Sequence, residues 1–279
     1  MRRFAVVGSP IDHSLSPLLH RTAYQVLGIS DADYGRAEVP PGGLADFLVS
    51  TRGRSLDGLS VTMPGKIEAF ELADERDDIS QLLGVSNTLL RLSGGGWRAE
   101  NHDVYGIEKA LRDAGVAQLG SRGPTAAVLG SGATAASAVA ALARLGVRGL
   151  MLTARTRAKL DPLVDLAHRL DMHVLCVPWE RSETVLASDV VVSALAAPGA
   201  EAVAQAWGDS TQADPRVALD VLYQPWPAPV AELLERRGST VASGLEMLVH
   251  QADMQLRAML GIDRSPVEAM LAAARAALY

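Results

Sequence analysis

Residues 128–135 read Val-Leu-Gly-Ser-Gly-Ala-Thr-Ala, and this short stretch decides the fold class. Its spacing, G-x-G-x-x-A, is typical of the turn between a strand and a helix that binds the phosphates of a dinucleotide. Gly130 allows a sharp turn off the strand, Gly132 lets the backbone approach a pyrophosphate, and the small Ala135 lets the helix pack on the strand. Free N–H groups at the helix N-terminus would bind the anion. A glycine-rich turn without a ligand is the alternative interpretation.

The strand after this turn predicts which dinucleotide is bound. The chain reads Thr-Ala-Arg-Thr-Arg over residues 153–157, where a carboxylate would bind the ribose hydroxyls of NAD. A guanidinium at that place pairs with the 2′-phosphate of NADP, which a carboxylate would repel. We expect Arg155 to bind this phosphate because it stands first after the strand, whereas Arg157 and Lys159 could be solvated helix residues. The sequence therefore favours NADP over NAD.

Short apolar runs alternate with helix-length amphipathic segments along the chain, which predicts an α/β fold with helices on the faces of a parallel sheet. The predicted strands are 4–8, 33–39, 56–62, 87–92, 97–101, 126–129, 149–154, 173–177, 189–192 and 217–221. The predicted helices are 17–27, 43–51, 66–72, 77–83, 103–114 and the chain from 244 onward. These segments indicate two α/β domains and a helical C-terminus that could pack across either one.

Composition excludes several classes of protein. The 279 residues carry a net charge of −6, which argues against a nucleic-acid-binding protein. The single cysteine, Cys176, cannot form an intramolecular disulfide, and we expect it to be a core thiol on a buried strand. Residues 123–143 lack charge but contain Gly130 and Gly132, so they predict a strand, turn and helix rather than a membrane span. The N-terminus shows no secretory signal, which predicts a cytoplasmic protein. The six histidines show no metal-binding spacing, so we expect no metal.

Polar side chains cluster at several strand ends in the first third of the chain. Ser14 and Ser16 precede a predicted helix, where Ser16 could be an N-cap or the two hydroxyls could bind a small carboxylate. Lys66 stands at a helix start, where the helix dipole disfavours a cation, and this conflict suggests a function. Lysine is rare here, since 23 of the 26 basic residues are arginine. A lysine opposite Asp103 could exchange a proton with a substrate hydroxyl, although on the residues alone a plain salt bridge is the simpler interpretation.

Eight motifs in family order, spread over essentially the whole chain, resemble those of the shikimate dehydrogenase family. They are Ser-Leu-Ser-Pro (14–17), Val-Thr-Met-Pro-Gly-Lys (61–66), Ser-Asn-Thr-Leu (86–89), Asn-His-Asp-Val-Tyr-Gly (101–106), Gly-Ser-Gly-Ala-Thr-Ala (130–135), Ala-Arg-Thr (154–156), Asp-Val-Leu-Tyr-Gln-Pro-Trp-Pro-Ala-Pro (220–229) and Gly-Leu-Glu-Met-Leu-Val-His-Gln (244–251). The resemblance implies a substrate-binding and catalytic domain at 1–103, completed by C-terminal helices at about 244–279. It implies a Rossmann-like NADP-binding domain at 104–243.

The resemblance also implies an activity, the reversible NADPH-dependent reduction of 3-dehydroshikimate to shikimate on the route to aromatic amino acids. Lys66 and Asp103 would be the catalytic pair. The substrate would be bound by Ser14, Ser16, Thr62, Lys66, Asn87, Asp103, Tyr223 and Gln251. The cofactor would be bound by Gly130, Ser131, Gly132, Ala133, Thr134, Ala154, Arg155, Thr156, Lys159, Val221 and Gly244. Such an enzyme would act on a small molecule as a monomer or homodimer, without membrane or nucleic acid.

Some positions differ from the family pattern. Ala154 stands where Asn is usual and Ala133 where Gly is usual, which bears on the choice between NADP and NAD. His102 replaces a Thr that is typical beside the catalytic Asp. A quinate or quinate/shikimate dehydrogenase, whose substrate ring carries an extra hydroxyl, is the nearest alternative. A non-catalytic NADP-binding sensor is another, although retention of Lys66 and Asp103 argues against it.

Overall fold

The computed structural model describes residues 1–118 and 123–278, which form two compact units. Met1–His102 and the C-terminal segment from Val249 make up the first unit. Asp103–Leu248 makes up the second unit. Each unit has its own six-stranded sheet, so the α/β fold class with two domains is confirmed.

The first unit is built on a mixed sheet with the strand order β2-β1-β3-β5-β6-β4. Its strands are β1 Arg2–Gly8, β2 Ala32–Glu38, β3 Gly58–Val61, β4 Glu75–Arg76, β5 Thr88–Arg91 and β6 Trp97–Glu100. Its N-terminal helices are α1 Ser16–Leu27, α2 Leu44–Val49, α3 Thr51–Arg54, α4 Lys66–Leu72 and α5 Asp78–Leu83. The central strands β1 and β3 run parallel, whereas β5 runs antiparallel to both β3 and β6.

The second unit contains an entirely parallel sheet with the order β12-β11-β10-β7-β8-β9. Its strands are β7 Thr125–Leu129, β8 Gly149–Thr153, β9 His173–Cys176, β10 Val190–Ser193, β11 Val217–Asp220 and β12 Thr240–Ser243. Its helices are α6 Asp103–Asp113, α7 Ala133–Arg144, α8 Asp161–Arg169, α9 Ala197–Trp207 and α10 Pro229–Arg236. When its strands are numbered within the unit, this sheet has the strand order of the Rossmann fold. The strand order reverses direction at β7, and the turn after β7 carries the glycine motif.

The C-terminus is helical, as the apolar spacing predicts. Helix α11 spans Gly244–Leu260 and α12 spans Val267–Leu278. Helix α12 packs against α1, so the C-terminal helices pack on the first unit, which answers the question that the sequence left open. Helix α11 also brings its polar residues Gln251 and Gln255 into the interior of that unit, where both side chains are buried.

Burial explains why the sheets form where they do. All residues of β10 and β11 are buried, as expected for parallel strands covered by helices on both faces. The core on one face of this sheet includes Trp207, whose indole N–H donates to Ser182 Oγ at 3.2 Å. In the first unit a corresponding core groups Val7, Leu59 and their apolar neighbours beside α2 and α4.

Several local predictions were wrong. The helix predicted at 43–51 is two short helices, because Ser50 is extended and its hydroxyl accepts the Gly53 N–H at 3.1 Å to begin α3. The sequence analysis missed β4 and β12, which are short and lack long apolar runs. Cys176 is not on a buried strand, because β9 is the edge strand and leaves its neighbour Leu175 59% exposed.

Candidate functional site

The turn after β1 carries the predicted carboxylate-binding serines. A Cβ on Gly8 would collide with Thr62 Cγ2 and lie 2.7 Å from the Met63 carbonyl oxygen, so this approach of the two strand ends requires glycine. Ser16 is buried and is the first residue of α1, but Leu15 is the N-cap, so the N-cap interpretation of Ser16 was wrong. Its backbone N–H instead donates to Ser14 Oγ at 3.4 Å.

Lys66 is the first residue of α4, as predicted, and follows the cap residue Gly65. Its carbonyl oxygen accepts the Ser86 N–H at 2.9 Å, and the Asn87 carbonyl oxygen accepts the Val61 N–H at 2.7 Å. These two bonds join the backbone on either side of Thr62 to the segment that enters β5. The structure therefore brings the predicted site residues Thr62, Lys66 and Asn87 onto adjoining strand ends of the first unit.

The Asn87 side chain is held in one orientation by its partners. Its Oδ1 accepts a hydrogen bond from Thr88 Oγ1 at 2.9 Å and another from the His102 N–H at 3.0 Å. Two donors on one oxygen identify that atom as the amide oxygen, so Nδ2 faces the other way. Asn87 Nδ2 donates to Gln251 Oε1 at 3.1 Å. Two predicted substrate-binding amides, 164 residues apart in sequence, therefore lie in contact.

Asp103 begins α6 and is buried, with only 4% of its surface exposed. It directly follows His102, whose N–H bond to Asn87 fixes the chain at this point. The His102 imidazole Nε2 lies 3.2 Å from Glu100 Oε2, and Arg98 Nε lies 3.1 Å from Glu100 Oε1. His102 and then Arg98 hold the pKa of the Glu100 carboxyl below its usual range, despite partial burial. The imidazole that replaces the usual Thr thus has a partner in Glu100.

The glycine turn of the second unit has the geometry of a phosphate-binding site. Gly130 has φ +117°, and a Cβ there would lie 2.6 Å from the Ala194 carbonyl oxygen, so this position accepts only glycine. Gly132 caps α7, and no atom lies within 4 Å of where its Cβ would be. The first turn of α7 has no acidic residue. The open cap, with Ser131, Ala133 and Thr134 beside it, leaves helix N–H groups available to an anion.

The segment after β8 presents three exposed cationic side chains, Arg155, Arg157 and Lys159. Arg157 NH1 forms an ion pair with Asp161 Oδ1 at 2.7 Å. Within residues 1–118 and 123–278 the structure shows no ion pair for Arg155 or Lys159, and Thr156 beside them is also exposed. Ala154 is buried at the strand end. The sequence interpretation that Arg155 rather than Arg157 is available for a phosphate agrees with this arrangement.

Val221 and Gly244, predicted to contact the nicotinamide end of the cofactor, are neighbours in the second unit. A Cβ on Gly244 would collide with the Val221 carbonyl oxygen, and the Gly244 N–H donates to the Leu222 carbonyl oxygen at 3.2 Å. Tyr223 lies on the same loop, and burial raises the pKa of its hydroxyl. The predicted substrate-binding tyrosine therefore comes from the chain segment that also forms this close contact.

Asp220, which the sequence analysis did not single out, anchors that loop at the end of β11. Its Oδ1 accepts the Leu222 N–H at 3.1 Å, while only 1% of the residue is exposed. Burial raises the pKa of the Asp220 carboxyl to about 6, and the Leu222 N–H, Ser193 and the Ala231 N–H oppose this rise. Leu222 lies between Val221 and Tyr223, so the carboxyl fixes the backbone that carries both.

We expect Asp220→Asn to remove a pH dependence of stability. The folded chain keeps the Asp220 proton up to about pH 6, whereas the unfolded chain loses it near pH 3.8, so wild-type stability falls as pH rises between these values. In denaturant unfolding, the free energy of unfolding of the variant minus that of the wild type should increase by roughly 2 kcal/mol between pH 4 and pH 7. A stability difference that stays constant over this range would contradict the raised pKa.

Within 1–118 and 123–278 no three His, Cys, Asp or Glu side chains are grouped so that they could hold a metal ion. Among the helices in these ranges none is both long enough and apolar enough to span a bilayer.

Comparison with known proteins identifies the family. The family model described as the shikimate dehydrogenase substrate binding domain matches residues 6–89. A curated shikimate dehydrogenase (NADP(+)) of Ignicoccus hospitalis is 31% identical over 92% of this chain and 93% of its own length. The chain belongs to the shikimate dehydrogenase family.

Solved structures of the shikimate dehydrogenase family agree over the full chain. The Mycobacterium tuberculosis shikimate dehydrogenase is 38% identical, with a TM-score of 0.85 over 99% of this chain and 100% of that one. A shikimate 5-dehydrogenase of Thermus thermophilus, in complex with NADP(H) and shikimate, is 27% identical, with a TM-score of 0.81 over 100% of both chains.

Proposed function

We propose that this protein is an NADP-dependent shikimate dehydrogenase. It reduces the ketone of 3-dehydroshikimate to the hydroxyl of shikimate and runs in reverse when shikimate and NADP are supplied. In the forward direction the reaction consumes one NADPH and one proton for each shikimate formed. The family membership of the whole chain supports this activity over that of a non-catalytic sensor.

The observation that carries the proposal is the contact between Asn87 and Gln251. The Asn87 amide can donate to a ring hydroxyl through Nδ2, and the Gln251 amide can donate through Nε2 or accept through Oε1, which suits a ligand that carries several adjacent hydroxyl groups. Both residues are buried, Asn87 at 2% exposure and Gln251 at 6%, so a hydroxyl bound by them replaces water with fixed dipoles. Such a pair has no evident use in a protein that only senses NADP.

The second unit fits a bound NADP. The open N-terminus of α7 and Gly130 would hold the pyrophosphate. A side chain at Gly132 would fill this space, and one at Gly130 would collide with the Ala194 carbonyl oxygen. Arg155, Thr156 and Lys159 would hold the adenosine phosphate. The loop at Val221 and Gly244 would bind the nicotinamide end. When bound, the cofactor supplies the hydride that reduces the ketone carbon.

The proton chemistry belongs to Lys66 and Asp103. In the proposed reaction the Lys66 ammonium donates a proton to the ketone oxygen as negative charge develops on it. The Asp103 carboxylate orients the ammonium and accepts a hydrogen bond from a ring hydroxyl of the substrate. Ser14 and Ser16 bind the substrate carboxylate, with Tyr223 completing that end. Thr62 assists the two amides in binding ring hydroxyls. Orientation of the substrate and stabilisation of the developing charge are the protein's share of the rate enhancement.

Partners and location follow from this activity. The substrate and cofactor are small molecules, and the net charge of −6 gives no basis for nucleic-acid binding. We propose that the enzyme acts in the cytoplasm as a monomer or homodimer without a membrane attachment. The thiol of Cys176 is free, which accords with a reducing compartment.

A steady-state assay with four substrate pairs tests the proposal. The purified protein is supplied with shikimate or quinate, each with NADP or NAD. We expect the highest kcat/KM for shikimate with NADP. A higher value for quinate would indicate the quinate enzyme instead, and no turnover in any combination would support the sensor.

A further inference from the structure

A third buried amide, Gln255, lies directly behind Asn87 in the first unit. It stands four residues after Gln251 on α11, so both side chains share one face of the helix. Only 1% of Gln255 is exposed. Its Nε2 donates to Thr88 Oγ1 at 2.9 Å and to the Asn87 carbonyl oxygen at 3.1 Å. Both amide hydrogens of Gln255 are therefore directed at residues 87 and 88, where the chain enters β5.

The other end of the Gln255 amide is anchored in the core of the same unit. Its Oε1 accepts a hydrogen bond from Ser60 Oγ at 2.7 Å, and Ser60 in turn accepts one from the Tyr34 hydroxyl at 2.5 Å. Tyr34 is fully buried and stacks on His20, with ring centroids 3.9 Å apart. Because the Asn87 carbonyl oxygen can only accept, the atom of Gln255 beside it must be Nε2, and Oε1 therefore faces Ser60.

This arrangement decides where the single Thr88 hydrogen points. Since Gln255 Nε2 already donates to Thr88 Oγ1, that hydroxyl is left to donate, and it does so to Asn87 Oδ1. This donation, together with that of the His102 N–H to the same oxygen, holds the Asn87 amide with Nδ2 toward Gln251. A continuous series of hydrogen bonds thus runs from the core through Gln255 and Thr88 to the two proposed hydroxyl-binding amides.

We infer that Gln255 is a positioning residue for substrate recognition, which acts together with the His102 N–H to hold the Asn87 amide in one orientation toward Gln251 and the ring hydroxyls. It does not touch the substrate, and it acts through Thr88. The inference rests on the proposed function, because hydroxyl recognition by the two amides is what Gln255 serves. It predicts that shikimate binding depends on a residue that the family motifs did not single out.

The main test is the Gln255→Met variant, which keeps a similar side-chain volume but removes both ends of the amide. We expect the KM for shikimate to rise about tenfold, because the Thr88 hydroxyl is no longer held toward Asn87 Oδ1, which then keeps only its bond from the His102 N–H. The KM for NADP should stay within about twofold, and kcat should fall less than the shikimate KM rises. Leu256→Val is the matched control, since Leu256 is fully buried on the same helix and this change removes no hydrogen bond; it should leave both KM values unchanged.

Two further variants distinguish positioning from general loss of stability. Thr88→Val removes the relaying hydroxyl and should reproduce the rise in shikimate KM. Thr88→Ser retains the hydroxyl and should keep the shikimate KM at the wild-type value. These two variants also test the inference if Gln255→Met fails to fold. In an Asn87→Ala background, Gln255→Met should raise the shikimate KM no further, since its route of action is gone.

Equal effects on the KM values for shikimate and NADP would overturn the inference, and so would an unchanged shikimate KM in Gln255→Met or in Thr88→Val. Additive effects of Asn87→Ala and Gln255→Met would overturn it as well. Failure of the proposed function is recognised separately, because the wild-type protein would then not oxidise shikimate with NADP at all.

Discussion

Replacing Lys66 with alanine should lower kcat for shikimate oxidation about a thousandfold, the usual magnitude for loss of a proton-transfer group. The KM for NADP should change by less than a few fold, because the proposed cofactor residues lie in the second unit and Lys66 in the first. Stopped-flow or steady-state assays with fluorescence titration of NADPH measure the two quantities separately. We also expect Lys66→Arg to stay inactive, since a guanidinium does not release its proton at working pH.

Lys109→Ala is the matched control for this experiment. Lys109 is a helix-surface lysine whose Nζ pairs with Asp113 four residues on, so its removal should leave kcat unchanged. A fall in NADPH affinity as large as the fall in kcat for Lys66→Ala would contradict the division of roles between the two units.

Replacing Arg155 with alanine should raise the KM for NADP about fiftyfold and leave the KM for NAD nearly unchanged. The physical reason is the loss of charge-assisted hydrogen bonds to the 2′-phosphate, which NAD lacks. Arg157→Ala provides the control, because Arg157 is paired with Asp161 and should affect NADP only slightly. Equal effects of Arg155→Ala on both cofactors would exclude the proposed role in binding the 2′-phosphate.

The second unit could be predicted well from sequence, because its signals are local. The apolar strand ending at Leu129, the turn glycines and the spacing of the following helix lie within one short segment, and the structure places them as predicted. The burial of the edge strand β9 was predicted wrongly and the short β12 was missed, since burial and pairing depend on neighbours that sequence periodicity does not show.

The interior of the first unit could be predicted only in part. The family resemblance implied roles for Asn87 and Gln251 but none for Gln255, Thr88 or Ser60, because the hydrogen bonds that join them link residues up to 195 positions apart. One signal was present in the sequence, since Gln255 follows Gln251 by four residues within a predicted helix that is otherwise apolar on that face. Its partners could be found only once the strands had been placed.

The three lysines lie in different surroundings. Of the three lysines, Lys109 is paired on a helix surface and Lys159 is exposed beside the proposed phosphate site. Lys66 alone stands among buried strand ends of the first unit, at a helix start where its charge is disfavoured by the dipole. A chain that uses arginine almost everywhere retains lysine where the proposed chemistry requires a releasable proton.

The most direct test of the proposed activity is product formation from 3-dehydroshikimate and NADPH by the purified protein. Absorbance at the NADPH band and chromatography of the acids follow the two compounds in the same reaction. Our account predicts that one shikimate appears for each NADPH consumed, and that Lys66→Ala suppresses both. NADPH that is not consumed, or that is consumed without formation of shikimate, would contradict it.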